Sequence, residues 1–391
     1  MSAKYEAFIN VETKCPMCGA TATNRYVKSK LFTPVEVEDD HFVKTYKWEM
    51  PQFDHIRPNF YHIWYCTACH FADEKEVFRK EDDSDGKLDM IQDRLLVEAR
   101  RPDSVITRLG SMINSTEDFF SVKTALALHL LAIYIQEMLS SNLRQTGKLA
   151  RFYLRTAWLF RELRYLDEAG VARSPELAEF FTAIAGIKEQ DWPEIPNAEK
   201  ETILQAISYY KAELDHAGRS DDVKQEVVIM FLVAALYERL EDKREALSYV
   251  RMVFQQCSKR RGSLKKAIDN AVRGTATGKQ IETLKNLHQW VSNQLERASV
   301  ESERLSEAIF LEEYPEARKV VLAMQNPDPQ AVVEELRKRD FYDGTCRRIA
   351  HLLEQNLLHR TEDPLKEPLP EPEPEVDDGN FLNRIKKMFK R

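Results

Sequence analysis

Several protein classes are excluded by what this sequence lacks. Its first residues, "MSAKYEAFINVETKCPMCGA", show no basic start followed by an apolar run and a small-residue cleavage site, so no secretory signal is read there. No stretch approaches the roughly 18 apolar residues that spanning a bilayer requires. A soluble, cytoplasmic chain is expected. Cysteine is sparse as well, since six in 391 residues are too few for a disulfide scaffold. Catalytic signatures are missing: His41, His55 and His62 have no H-E-x-x-H or H-x-E spacing to set a base beside an open metal position. "RGTATGK", residues 273–279, lacks both the spacing of a phosphate loop and a buried strand before it, and reads as a turn between helices. The formal charge of -7 argues against a dedicated nucleic-acid binder, which leaves the basic "SKRRGSLKK" at 258–266 as a solvated helix end. No enzyme activity and no small-molecule substrate are expected.

Four of the six cysteines fall in two C-x-x-C pairs, Cys15 with Cys18 in "KCPMCGA" and Cys66 with Cys69 in "HIWYCTACHFADEKE". Taken alone, "CTACH" also fits c-type haem attachment or a dithiol redox pair. Haem attachment needs an oxidising compartment, however, and two C-x-x-C turns together offer the tetrahedral sulfur set that structural zinc takes. Gly19 permits the positive φ with which such a turn doubles back. The 47 residues between Cys18 and Cys66 exceed what a simple zinc ribbon needs. A structural zinc ion on Cys15, Cys18, Cys66 and Cys69 is the expectation. His70 is either a hydrogen-bond donor to a sulfur or an ordinary, partly exposed histidine.

Between the pairs, "YVKSKLF" and "FYHIWYC" alternate like short strands separated by a Pro-bearing loop. Phe53, Phe60, Tyr61, Trp64 and Tyr65 are expected to pack around the metal rather than form an exposed platform for bases or a peptide. Beyond residue 72 the chain turns charged and helical, with a linker or helix break at Asp82 to Gly86. From Ser104 almost to residue 360, apolar residues recur at helical spacing. Ala157 and Ala169 stand twelve residues apart, as do Ala234 and Ala246, with Tyr153, Phe160, Met230 and Tyr237 at matching offsets. These are the small and large positions of tetratricopeptide (TPR) helix pairs. The insert "SPELAEFFTAIAGIKEQDWPEIPN" breaks the repeat register, so an irregular array is expected.

The order "CPMC", an aromatic insert, "WYCTACHFA", then "LRTAWLFRELR" and "LVAALYERLEDKREALSYV" resembles the bacterial uncharacterised family DUF2225 over about residues 10 to 257. Trp64, Cys66, Cys69 and Ala72 carry its most diagnostic piece. The resemblance implies paired zinc knuckles ahead of TPR-like helices and no established activity. It does not extend to residues 258–391, which this chain adds.

The predicted organisation is mainly α: a zinc-ribbon-like α+β module at 1–80, TPR-like helices at 81–260, a helical extension at 261–360 and a tail. In the tail, "TEDPLKEPLPEPEPEVDD" (361–378) has five prolines and eight acids, a composition expected to stay extended and disordered. It ends in "GNFLNRIKKMFKR", 379–391. At ~100° per residue, Phe381, Leu382, Ile385, Met388 and Phe389 share one arc of roughly 120°. Arg384, Lys386, Lys387, Lys390 and Arg391 lie outside it. Such a helix suits an anionic membrane surface or a groove on a protein. Two functions follow: an adaptor that binds a protein partner through its TPR-like surface and attaches peripherally to the inner membrane face, or a nucleic-acid-associated protein acting through its zinc module.

Overall fold

The computed structural model describes residues 6–79, 86–168, 175–217, 223–274 and 276–313. The tail, with every membrane- or partner-binding residue read between Phe381 and Arg391, lies outside these residues, as do Ala169, Cys346 and most of the Asp82–Gly86 cluster. Two compact units divide after Leu240.

The first unit opens with three two-stranded antiparallel sheets. They pair β1 (Phe8–Lys14) with β2 (Thr21–Val27), β3 (Phe32–Val37) with β4 (Val43–Trp48), and β5 (Ile63–Tyr65) with β6 (Ala72–Glu74). Sheets this small bury too little apolar surface to stand alone. They lean on helices instead. α1 (Lys75–Arg79) follows directly, then α2 (Asp89–Glu98), α3 (Val105–Ser111) and α4 (Val122–Glu137). The run "ALALHLLAI" is apolar all round, and a helix of that kind belongs in a core. Residues 124–133 of α4 are all buried, packed against α3, α5, β5 and β6. Ser104 and Ser121 cap α3 and α4 by accepting from the Thr107 and Thr124 amides.

The helical array continues through α5 (Thr146–Glu168), α6 (Pro175–Gln190), α7 (Glu199–Ala217) and α8 (Val223–Arg239). Ala157, Tyr153, Phe160, Met230 and Ala234 are buried there. The Pro-marked insert becomes α6 and a loop holding buried Trp192 and Ile195, so that α5 packs chiefly on α7, two helices on. This is the irregularity that the 77-residue offset between Ala157 and Ala234 implied. All five aromatics expected to pack, Phe53, Phe60, Tyr61, Trp64 and Tyr65, are buried.

Two buried ion-pair centres fasten the strands to α5. Arg161, fully buried, spans Asp40 with both terminal nitrogens, at 2.8 and 3.1 Å, and reaches Glu38 at 2.6 Å and Glu199 at 2.7 Å. Its guanidinium also lies over the Phe42 ring. Glu38, Asp40 and Phe42 come from the β3–β4 hairpin, Glu199 from α7. The second centre is Asp73 on β6, which takes Lys148 Nζ at 2.6 Å and Gln136 Nε2 at 3.2 Å. A planar five-donor guanidinium suits three carboxylates where an ammonium would not.

In the second unit, α9 (Lys243–Arg273) and α10 (Gly278–Glu313) form an antiparallel hairpin, with Lys243 and Glu312 paired at its open end. "RGTATGK" supplies the turn, as read from the sequence. Among the described residues no helix is long and apolar enough to cross a membrane.

Removing Arg161 should strand Asp40, only 3% exposed, as an unpaired buried charge. Arg161→Met is expected to cost about 3–5 kcal/mol in urea unfolding, and Arg161→Lys less.

Candidate metal centre

Each C-x-x-C pair is the turn of a hairpin. The pair Lys14↔Thr21 closes β1–β2 just outside residues 15–20, and Tyr65↔Ala72 closes β5–β6 just outside residues 66–71. The two turns repeat the same hydrogen bonds. The Cys15 amide donates to the Ala20 carbonyl at 2.8 Å and the Gly19 amide to the Cys15 carbonyl at 2.9 Å; the Cys66 amide donates to Phe71 at 2.9 Å and the His70 amide to Cys66 at 2.8 Å. Gly19 and His70 therefore hold the same place, and both have positive φ, 72° and 60°. For a histidine that left-handed backbone costs on the order of 1–2 kcal/mol.

Tertiary contacts explain how it is held. Tyr65 OH is hydrogen-bonded to His70 Nδ1, and the His70 ring covers Gly110 of α3 so closely that a Cβ there would sit 2.6 Å from His70 Cγ. Burial lowers the His70 pKa and raises that of Tyr65. His70 is thus a wedge between its turn and α3, which neither sequence-based reading of it anticipated. The first turn is gripped from α2, where Gln92 Nε2 donates to the Met17 carbonyl at 2.6 Å. Behind the second turn, Phe71 and Trp64 pack on Phe78 of α1.

The four sulfurs converge. Cys15 and Cys69 lie 3.6 Å apart, Cys18 and Cys66 3.6 Å apart, and all four sit within 4.8 Å of one another. An ion bound tetrahedrally to thiolates at about 2.3 Å needs sulfur–sulfur edges of about 3.8 Å, so the set fits one metal ion. Cys15, Cys66 and Cys69 are buried and Cys18 is exposed. Hydrogen bonds from Cys15 and Cys69 hold Cys66 down to about 2 as a thiolate, while Cys15, bonded to Cys66, is pushed up to about 12 and Cys69, bonded to Cys15, is raised too. Without a cation, Cys15 and Cys69 keep their protons beside the Cys66 thiolate; a bound cation would take the place of those protons.

Residues 8–277 match the family model of DUF2225, described as an uncharacterized protein conserved in bacteria. The chain belongs to the DUF2225 family. No curated protein and no solved structure matches it. The DUF2225 match takes in all four cysteines, His70 and Gly110, and so covers the whole candidate centre. Cys257, the fifth cysteine described, is buried far along α9 and takes no part.

His70 and Gly110 should behave as a coupled pair. Gly110→Ala is expected to destabilise the chain by about 1–3 kcal/mol. His70→Gly, which removes both the ring and the strained φ, should recover most of that loss in the double variant, as read by urea unfolding in a double-mutant cycle.

Proposed function

We propose that this DUF2225 protein is a non-enzymatic cytoplasmic adaptor. A structural zinc ion on Cys15, Cys18, Cys66 and Cys69 stabilises its N-terminal strands, its TPR-like helices bind a protein partner, and its terminal helix attaches it to the inner membrane face. The observation that carries the reading is the closed sulfur set. Four thiolates fill a tetrahedral ion's coordination, leaving no position for a substrate or an activated water. Zinc is favoured over other ions by an all-sulfur set held by two C-x-x-C turns. The ion's contribution is folding free energy rather than chemistry. The buried ion pairs support the same reading, since Arg161 and Lys148 are committed to carboxylates that fasten strands to helices.

Membrane attachment rests on the segregated faces of residues 379–391. Five apolar residues on so short a helix give reversible binding that depends on anionic lipid and salt.

Purified protein should hold about one zinc per chain by elemental analysis, and Cys66→Ser should lose it and destabilise the N-terminal strands. A haem absorption band, or full zinc retention in Cys66→Ser, contradicts the metal assignment. Full-length protein should sediment with vesicles rich in phosphatidylserine, and Ile385→Glu with Phe389→Glu should abolish this without changing zinc content. Equal sedimentation of the two proteins removes the membrane role.

A further inference from the structure

The α9–α10 hairpin carries a concentration of positive charge that the adaptor reading leaves unused. Residues 258–288 hold eight lysines and arginines against two acids, in a chain whose net charge is -7. Lys259, Arg261, Lys265, Lys266 and Arg273 are exposed along α9. Among the described residues none of the eight makes an ion pair. Elsewhere the basic side chains that matter to the fold are matched: Lys148, Arg155 and Arg161 all meet carboxylates.

The helix geometry gathers four of these five bases, Lys259, Lys265, Lys266 and Arg273, in one arc of about 120°. Lys259, Lys266 and Arg273 are seven residues apart, so they return to nearly the same direction and form a line about 21 Å long down α9. Lys265 lies on one side of it, about 80–120° round the helix with the exposed Asp269 between, and Arg261 lies farther round toward the apolar seam. The opposite side holds the half-buried Leu264, Ala267, Ile268 and Ala271, with Ile281, Leu284 and Leu287 half-buried on α10. The apolar seam is therefore largely spent within the hairpin, and the outer face is mainly charged, with Val272 its one large exposed apolar side chain. Such a face favours a polyanion over insertion into lipid.

The same chain contains one. Residues 361–378 hold eight acids and one lysine, a charge of -7 equal to the net charge of the whole protein. They begin 48 positions beyond the end of α10 at Glu313, in the same chain, so that their encounter with α9 is intramolecular. An external nucleic acid would have to outcompete it. We infer that the outer face of α9, centred on Lys259, Lys265, Lys266 and Arg273, is the docking surface for the chain's own acidic segment 361–378.

Carbodiimide cross-linking of the full-length protein, read by mass spectrometry, tests this. Amide links from Lys259, Lys265 or Lys266 to acids of 362–378 are expected at 50 mM salt. They should be lost in 1 M salt, where the screening length falls to about 3 Å. They should also fall about tenfold in Lys259→Glu with Lys266→Glu and Arg273→Glu, exposed changes whose effect on folding circular dichroism reports; a tenfold drop corresponds to about 1.4 kcal/mol. A second variant, Glu371→Gln with Glu373→Gln and Glu375→Gln, leaves the hairpin untouched and should lower the links likewise. Links from these acids only to Lys386, Lys387 and Lys390 would overturn the inference. So would links only between isotopically labelled and unlabelled copies, or equal binding of a single-stranded oligonucleotide to the full chain and to a chain ending at Thr361.

Discussion

The convergence of four cysteine sulfurs to within 4.8 Å of one another, a set that fits one metal ion, is the constraint that joins the strand-bearing turns of this molecule. β1–β2 and β5–β6 share no strand pairing; they are joined by the sulfur set in their turns and by the Tyr65 amide, which donates to Asn24 Oδ1 at 2.8 Å. Each turn spends a left-handed residue to aim two sulfurs inward. Gly19 takes that conformation at little cost, whereas His70 takes it under pressure from Tyr65 and α3. The centre is therefore also the point where the strands are registered against the first helices.

The ion pairs act at the next level. The β3–β4 hairpin brings no cysteine, yet Glu38 and Asp40 at its turn reach α5 through Arg161, which also binds Glu199. Asp73 lies two residues before α1 and four after Cys69, so Lys148 ties β6, just beyond the second turn, to α5. Buried pairs of this kind add little net stability compared with apolar packing, but they tolerate one geometry only. They fix where the strands lie on the helices, while α4 and the aromatic cluster supply the burial.

Local chemistry was legible in the sequence and long-range pairing was not. The C-x-x-C pairs and the aromatic packing each leave a mark within a dozen residues and appear in the structure, and the helical register break shows over 77 residues; the strand alternation misled in part, since "YVKSKLF" is broken by a turn at Ser29–Leu31 and only Ile63–Tyr65 of "FYHIWYC" is strand. The Arg161–Asp40 pair spans 121 positions, and neither residue stands out locally: "EVEDDHF" reads as a polar turn and "LFRELR" as an ordinary charged helix. Gly110 had a faint signal, since glycine inside a helix weakens it unless something approaches closely. What approaches is His70, 40 residues earlier, and only the fold brings the two together.

The central claim is that the metal site is closed and purely sulfur-ligated. X-ray absorption at the zinc edge of the purified full-length protein tests it most directly. The account predicts four sulfur scatterers at about 2.3 Å and no nitrogen or oxygen in the first coordination sphere. A light-atom ligand, above all one that exchanges with solvent, would contradict it by exposing an open position at which chemistry could occur.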